Sequence, residues 1–464
     1  MTRKVVRRKI DWLPNQNVEV SSRELPVLAL EDYQQRLAAA RQSMGSLTHL
    51  VVYADREHFS NIEYFAGFDP RFEEALLVIA REGDPVLIVG NEGDSYAESV
   101  LLPVRKVVYT PFSLPGQPRG KVTPLEQHLE SAGISSTSSV GVIGWKVFCD
   151  EDGLAPGKTF DLPFFILQAL LKVVPLGNLS NAIGLMVDND HGLRTAFGVK
   201  ELLLSEYAGT TSTQNTLRVL QNLRPGITEA EASQYLQISG LPLGVHPNVN
   251  FGKNLDYGLA SPMTYTQLKE GDVVGAGMAY RRTLCHKVGY YVKDQKSEPA
   301  GLTEFYDKYF RSVAAWYEAV CIGAEGGHVY AEVEKITGPL KEFGISLNPG
   351  HLIHTDEWNN TPFKPGCKSV LRSGMMIQCD FTSIDPKTGL IAHAEDGILL
   401  ADADMRKKLE AASPAAWARI QERRRFMIDV LGIRLQPCVL PTSDIPGIIF
   451  PYLQDLSTVI AFEG

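Results

Sequence analysis

The chain has 464 residues, of which 44% are hydrophobic and 21% are charged, and its formal net charge is −9. This balance is typical of a soluble globular protein with about two domains, and the negative charge argues against a nucleic-acid-binding surface. No apolar segment approaches the roughly 20 residues that span a bilayer, so the sequence predicts no membrane partner.

The basic residues at the start of the chain, from Arg3 to Lys9, invite comparison with an export signal. Arg7 and Arg8 form a twin-arginine pair, but Lys9–Trp12 follow it where such a signal has an apolar segment, so we reject that interpretation. We predict a solvated N-terminal tail over residues 1–25. The six cysteines form no Cys-x-x-Cys pair. They are typical of reduced thiols, which predicts a cytoplasmic protein.

Residues 26–185 alternate between helical and strand patterns. Residues 26–50 carry apolar side chains at helical spacing, which predicts an amphipathic helix. Short apolar segments then predict buried strands at 48–54, 75–80, 85–90 and 139–144. The alternation of helices with strands indicates an α/β domain.

Residues 186–464 show a different pattern, in which long helices lead into strand-rich sequence. A helix predicted over 197–223 ends at Arg224-Pro225-Gly226, and Thr228 with Glu231 has the spacing of a capping box. A similar cycle recurs, with helices predicted over 305–322 and 330–344 on either side of a glycine-rich break. We interpret the two cycles as a weak internal duplication.

Seven segments carry motifs that come in one order along the chain. They read SNIEYFAGFDP at 60–70, RPGITEAEAS at 224–233, HPNVNFGKN at 246–254, LKEGDVV at 268–274, NPGHLIH at 348–354, SGMMIQCDF at 373–381 and AHAEDGILLAD at 392–402. In these segments the chain resembles the creatinase/aminopeptidase P/prolidase family. Each motif is weak alone, and the ordered set is specific.

The resemblance implies a fold and an assembly. The expected fold is an α/β N-terminal creatinase-like domain followed by an α+β pita-bread C-terminal domain, with a curved antiparallel sheet and outer helices. The site would lie in the concave middle of that sheet. The resemblance also implies a small-molecule substrate and a homodimer. Peptidases of this family bind two divalent metals through two aspartates, a histidine and two glutamates.

The metal-ligand positions are only partly kept in this chain. His351 matches the histidine ligand, Asp380 stands where the first glutamate belongs, and Glu395 matches the last glutamate. The two aspartate positions fall on Gly277 and Val288, which cannot hold a metal. The resemblance therefore predicts no dinuclear centre, because paired hard cations need carboxylates. Binding of a single divalent ion by the three remaining ligands stays an open alternative.

A shifted alignment would move the second aspartate position onto His286 or Cys285. Strand alternation places His286 on the same face as Val288, which makes it a further catalytic candidate. Creatinase, the family member that works without metal, uses a histidine where this chain has Ala260. The chain therefore departs from creatinase at that position as well.

The candidate catalytic residues are His351, Asp380, Glu395 and His286. Two carboxylates in one cavity do not both stay ionised, so one of Asp380 and Glu395 should have a raised pKa and the two could serve as an acid/base pair. Candidate substrate-binding residues are His354, Glu357, Trp358 and Glu73. The acidic Glu73 would favour a cationic substrate group.

Three functional hypotheses follow from these residues. The first is a hydrolase or lyase of a small C–N-containing substrate, with amines and amidines as candidates, that needs no dinuclear metal and no other cofactor. The second is a non-catalytic pita-bread binding protein, which the losses at Gly277, Val288 and Ala260 favour. The third is an Xaa-Pro peptidase-type enzyme with an altered site for one metal ion.

Overall fold

The computed structural model describes residues 3–464, which form two compact units. Residues 27–194 make up the smaller unit. The larger unit combines residues 3–26 with residues 195–464, so the chain enters it twice.

The first strand, β1 (Val5–Lys9), belongs to the larger unit, and the smaller unit follows it in the chain. The smaller unit consists of α1 (Leu30–Ser43), β2 (His49–Ala54), α2 (Ser60–Ala66), β3 (Ala75–Ala80), β4 (Val86–Val89), α3 (Asn91–Tyr96), β5 (Arg105–Val108), α4 (Leu125–Ser131), β6 (Val140–Ile143), α5 (Phe164–Val173), β7 (Leu179–Asn181) and α6 (Gly184–Val187).

The six strands of the smaller unit form one mixed sheet in the order β5-β4-β3-β2-β6-β7. Its three central strands, β2 to β4, are antiparallel neighbours, and the outer strands are parallel to the strands they join. Nearly all residues of β2 and β3 are buried, as their continuous apolar sequences predict for strands covered on both faces. The predicted α/β domain is confirmed.

The larger unit continues with α7 (Val199–Gln221), α8 (Glu229–Ser233), β8 (Leu243–Phe251), β9 (Val273–Tyr280), β10 (Cys285–Tyr290), α9 (Leu302–Ala319), α10 (Gly326–Thr337), β11 (His351–Leu352), β12 (Met376–Cys379), β13 (Ser383–Ile384), β14 (Ile391–Leu400), α11 (Ala403–Ala412), α12 (Pro414–Arg425), β15 (Val439–Pro441) and β16 (Thr458–Phe462). The predicted capping box is present: Thr228 Oγ1 accepts the amide of Glu231, whose carboxylate accepts the amide of Thr228.

An antiparallel sheet of eight strands organises the larger unit, with the central order β11-β12-β14-β10-β9-β8. Helices α7 and α9 pack against one face of this sheet. Thr216 of α7 donates to the carbonyl of Cys285 on β10, and Tyr309 of α9 accepts the amide of Ala394 on β14. The opposite face, which we call the site face, carries the side chains that alternate with these residues.

The predicted solvated tail is wrong for the part of it that lies between Val5 and Lys9. These residues form β1, which pairs antiparallel with β16 near the other end of the sequence. Two of the basic side chains that suggested solvation are paired with acidic residues of α9. Arg3 lies 2.6 Å from Glu318, and Arg7 forms an ion pair with Asp307.

Two further sequence predictions concern membrane-spanning helices and the state of the cysteines. Within residues 3–464, no helix combines the length and apolar content that crossing a bilayer requires. All six cysteines are free thiols, and Cys285 and Cys379 are buried.

Candidate active site

Two rows of residues run across the site face, each formed by direct cross-strand partners. The first row consists of Asn248, Gly277, His286 and Glu395, on β8, β9, β10 and β14. The second row, two positions along each strand, consists of Asn250, Gly275, Val288 and His393. Because cross-strand partners project to the same side of a sheet, the register brings these side chains together.

His351 is fully buried and faces three carboxylates. Its Nε2 lies 3.0 Å from Glu357 Oε1, 3.6 Å from Asp380 Oδ2 and 3.9 Å from Glu395 Oε1, but makes a directed hydrogen bond with none of them. Its Nδ1 lies 3.1 Å from the Leu352 carbonyl, so Nδ1 carries the hydrogen. A neutral His351 would aim a lone pair at three carboxylates, and this arrangement requires a proton or a metal cation between them.

Electrostatics favour the protonated, positively charged form of His351. Burial lowers the pKa of His351, but the charges of Glu357 and Asp380 outweigh it, and the net pKa is raised above its ordinary value. The indole of Trp358 stacks on the imidazole with centroids 4.2 Å apart, which holds the ring plane.

Asp380 and Glu395 differ in protonation although they lie side by side. Burial raises the pKa of Asp380, but its hydrogen bond to His393, with Nε2 2.9 Å from Oδ1, and the charge of that histidine lower it below its ordinary value. Burial and the neighbouring charge of Asp380 raise the pKa of Glu395 well above its ordinary value. Of these two carboxyl groups, Glu395 therefore holds a proton more readily than Asp380.

A chain of hydrogen bonds connects Asp380 to His286 through His393. The two histidines meet through their Nδ1 atoms at 2.8 Å, and Nε2 of His393 contacts Asp380. Burial, together with the proximity of His393, lowers the pKa of His286 to about 3, so its imidazole is neutral. Gln378 contacts the other carboxyl group, Glu395. Its Nε2 lies 3.3 Å from Glu395 Oε1 and 2.7 Å from the Leu284 carbonyl.

The residues present do not fit a dinuclear metal centre. Gly277 and Val288 lie on the site face and offer no donor atom. The imidazole of His286 fills the space above Gly277, where an added Cβ would lie 2.5 Å from Cδ2. Cys285 faces the helices, and burial raises the pKa of its thiol to about 12, so it is no substitute ligand.

Three of the residues present could still hold a single divalent ion. One ligand atom from each of His351, Asp380 and Glu395 lies within 4.8 Å of the others, a separation that ligands at about 2.0–2.2 Å around one ion nearly reach. The unpartnered Nε2 of His351 faces this position.

The structure brings together six of the eight predicted site residues: His351, Asp380, Glu395, His286, Glu357 and Trp358. His354 lies in a different environment, stacked on Phe197 at 4.3 Å, with its Nε2 3.6 Å from Glu201. Glu73 belongs to the smaller unit, where it is buried and its Oε2 accepts the amides of Glu92 and Gly93 at 3.1 and 3.2 Å, at the start of α3.

Sequence reasoning missed His393 and Gln378. His393 stands two positions before Glu395, so the alternation of a strand would have placed both on one face. Gln378 stands two positions before Asp380 and could have been found in the same way.

No protein-family model and no curated protein matches the sequence. Solved structures do match in fold. A dipeptidase PepE from Mycobacterium ulcerans aligns with a TM-score of 0.61 and 17% identity, over 81% of this chain and 95% of that one. The prolidase from Pyrococcus horikoshii aligns with a TM-score of 0.60 and 16% identity, over 79% and 95%. An X-Pro aminopeptidase from Thermotoga maritima aligns with a TM-score of 0.59 and 14% identity, over 80% and 95%.

The chain has the pita-bread fold. This confirms, at the level of the fold, the resemblance to creatinase, aminopeptidase P and prolidase that the ordered motifs carry. Within the pita-bread fold, His351, Asp380 and Glu395 occupy three different strands or strand ends of the central sheet, and their side chains converge on its site face.

Proposed function

We propose that this protein is a hydrolase that cleaves a C–N bond in a small molecule, and that it does so without a dinuclear metal centre. The supporting observation is the convergence of His351, Asp380 and Glu395, whose ligand atoms lie within 4.8 Å of one another. Solvent is largely excluded from this point, since His351 and Glu395 are 0% and 2% exposed.

The arrangement supplies both halves of a hydrolysis. Asp380, held by His393, accepts a proton from the attacking water, whose oxygen joins the carbon. Glu395 donates its proton to the nitrogen that leaves. Glu357 adds a third carboxylate next to His351. Because this cluster has a surplus of negative charge, a substrate that carries an amine or amidine nitrogen suits it better than an anion.

A one-metal hydrolase is the second candidate, and the directed but unpartnered Nε2 of His351 favours it. His351, Asp380 and Glu395 would hold the ion. A bound ion of this kind polarises a carbonyl and lowers the pKa of water. The solved structures of like fold include prolidases and an X-Pro aminopeptidase, so Xaa-Pro dipeptides are the natural substrates for testing this candidate.

The decisive experiment measures metal content and turnover on the same preparation. Protein purified without added metal is analysed for bound ions, then assayed on a panel of amidines, small amides and Xaa-Pro dipeptides, with manganese or with EDTA. Turnover that survives EDTA supports the first candidate. One ion per chain together with EDTA-sensitive turnover supports the second.

Substitutions connect turnover to the site. Asp380→Asn and Glu395→Gln should each lower turnover about 10²–10⁴-fold, as expected when a general acid or base is lost. Asp404→Asn, on the exposed surface of α11, is the matched control and should leave turnover unchanged. Wild-type-like activity in both site variants would contradict the assignment. Ligand binding without turnover on any substrate would favour a non-catalytic binding protein instead.

We further propose that the protein works in the cytoplasm as a homodimer. Its six free thiols support the compartment, and the family resemblance supports the dimer. Light scattering coupled to size exclusion tests the second point, and a monomer at micromolar concentration would contradict it.

A further inference from the structure

A cavity of about 410 Å³ between α9, α10 and the start of the chain takes no part in the proposed chemistry. Its volume is in the range of small-molecule sites, about 300–1,000 Å³. Its charged lining consists of four basic and two acidic residues: Arg3, Arg311, Lys335, Arg434, Glu318 and Glu332. This leaves an excess of two positive charges, with His328 uncounted, in a chain whose formal net charge is −9.

The cavity lies on the far side of α9 from the central sheet. Arg311, Ala315 and Glu318 share one side of this helix, because they follow one another at intervals of four and three residues. Tyr309 points about the opposite way and accepts the amide of Ala394 on the sheet. The helix therefore separates the cavity from the candidate active site.

Two of the four basic residues keep an uncompensated charge. Nη2 of Arg3 lies 2.6 Å from Glu318, and Lys335 forms an ion pair with Glu332. By contrast, neither Arg311 nor Arg434 has a side-chain nitrogen within 4.0 Å of any carboxylate between residues 3 and 464. An arginine side chain is always charged, so both contribute a full positive charge to the cavity.

Measured contacts bring three arginines from three parts of the chain to one place. The guanidinium carbons of Arg3 and Arg311 lie 3.7 Å and 5.9 Å from the centre of the Phe462 ring. Oε1 of Glu318 accepts both Nη2 of Arg3, at 2.6 Å, and the backbone amide of Arg434, at 3.1 Å. Like charges that are held together repel one another, and a bound anion would relieve this repulsion.

We propose that this cavity binds a small anion with two or more negative charges, a phosphate or a polycarboxylate, through Arg311 and Arg434. A guanidinium group presents paired N–H donors that match two oxygens of either anion. Since α9 separates the cavity from the candidate active site, the anion is an effector or a stabilising ligand and not the substrate. The inference does not rest on the proposed function.

Calorimetry with pyrophosphate and with citrate, on the full chain at low salt, tests the site. The wild type should bind at least one of them, and the tighter binder identifies the anion as a phosphate or a carboxylate. Arg311→Gln and Arg434→Gln should each weaken binding about tenfold or more, as expected for the loss of a charged hydrogen-bond donor. Glu332→Gln should tighten binding, because it removes a carboxylate from the lining. Arg23→Gln, at an exposed arginine outside the cavity, should leave binding unchanged.

Two results would overturn the proposal. One is a wild type that binds neither anion at millimolar concentration. The other is a folded Arg311→Gln/Arg434→Gln variant that binds as tightly as the wild type. Melting curves without anion check the fold, and the Arg434→Gln variant decides alone if the double variant is unfolded, because Arg434 is exposed. Asp380→Asn and Glu395→Gln should not change anion binding, so their turnover tests only the proposed function.

Discussion

The imidazole of His286 lies over Gly277, its direct partner on the neighbouring strand, so closely that a Cβ on the glycine would lie 2.5 Å from the ring. The histidine thus occupies the space that a carboxylate side chain at position 277 would take. A larger residue at position 277 does not fit, because its Cβ would collide with this ring and with the backbone of β10.

We therefore predict that Gly277→Asp destabilises the protein by about 1–3 kcal/mol, as expected for overpacking a filled site. Urea unfolding measures this change. The Gly277→Asp/His286→Ala double variant should recover only part of the loss, because the added Cβ would still lie 2.7 Å from the Cys285 carbonyl oxygen and 2.9 Å from Cα of His286. Additive losses in the double variant would contradict the steric explanation.

Restoring the missing donors should also restore metal capacity. The triple variant Gly277→Asp/His286→Ala/Val288→Asp places two carboxylates on the site face beside His351, Asp380 and Glu395. We expect elemental analysis after manganese loading to find two ions per chain in this variant and at most one in the wild type. His351→Ala in the triple background should lower the content again, which shows that the ions occupy this site.

The ion pair between Lys287 and Asp396 lies on the opposite face and is almost fully buried, with side-chain exposures of 3% and 0%. Removing one partner leaves a buried charge, so Lys287→Met should cost about 3–5 kcal/mol in the free energy of unfolding. The double variant Lys287→Met/Asp396→Leu should be much closer to the wild type. Lys408→Met breaks an exposed pair with Asp404 and should cost less than about 1 kcal/mol.

Acid sensitivity should depend on Glu206, which is buried between Arg419 and Arg423. Burial raises the pKa of Glu206, but the charge of Arg423 and the pairing with Arg419 outweigh it, so the pKa is lowered below its ordinary value. A carboxylate with a lowered pKa stabilises the fold at pH values above its unfolded pKa of about 4.3. That stabilisation is lost as the pH falls through the lowered value.

We expect the free energy of unfolding of the wild type to fall more steeply below about pH 5 than that of Glu206→Gln, whose side chain does not titrate. Urea unfolding at several pH values measures the difference. Burial raises the pKa of Asp444 in the same network, and the charge of Glu206 adds to this effect, so the opposing contribution of Asp444 is smaller in the variant. Parallel curves for the two proteins would rule out Glu206 as the source.

Much of the fold could be predicted from the sequence because its signals are local. Apolar runs marked β2, β3, β4 and β6 to within about two residues, and the capping residues at Thr228 marked the start of α8. Strand β1 could not be predicted because its five residues are mostly basic, and their partner strand is more than 440 positions away. Only the long-range pairing makes that segment ordered.

The candidate site could be predicted at the positions where this chain has a side chain that matches the family motif. His351, Asp380 and Glu395 fall at matched positions, and alternation correctly placed His286 beside them. The contact of His286 with His393 could not be predicted, because it depends on the register between β10 and β14, whose paired residues lie more than 100 positions apart. The register of these strands also places Asn248 in the same row of cross-strand partners as Glu395.

The pairing of β1 with β16 has a consequence for biosynthesis. A nascent chain leaves the ribosome from its N-terminus, and domains generally fold as units in that order. Residues 27–194 build their sheet from their own strands and can fold early, whereas β1 waits until residues 458–462 have emerged. Strand β1 is thus synthesised before the smaller unit but finds its place only after that unit has been made, and the larger unit closes only once β16 has emerged.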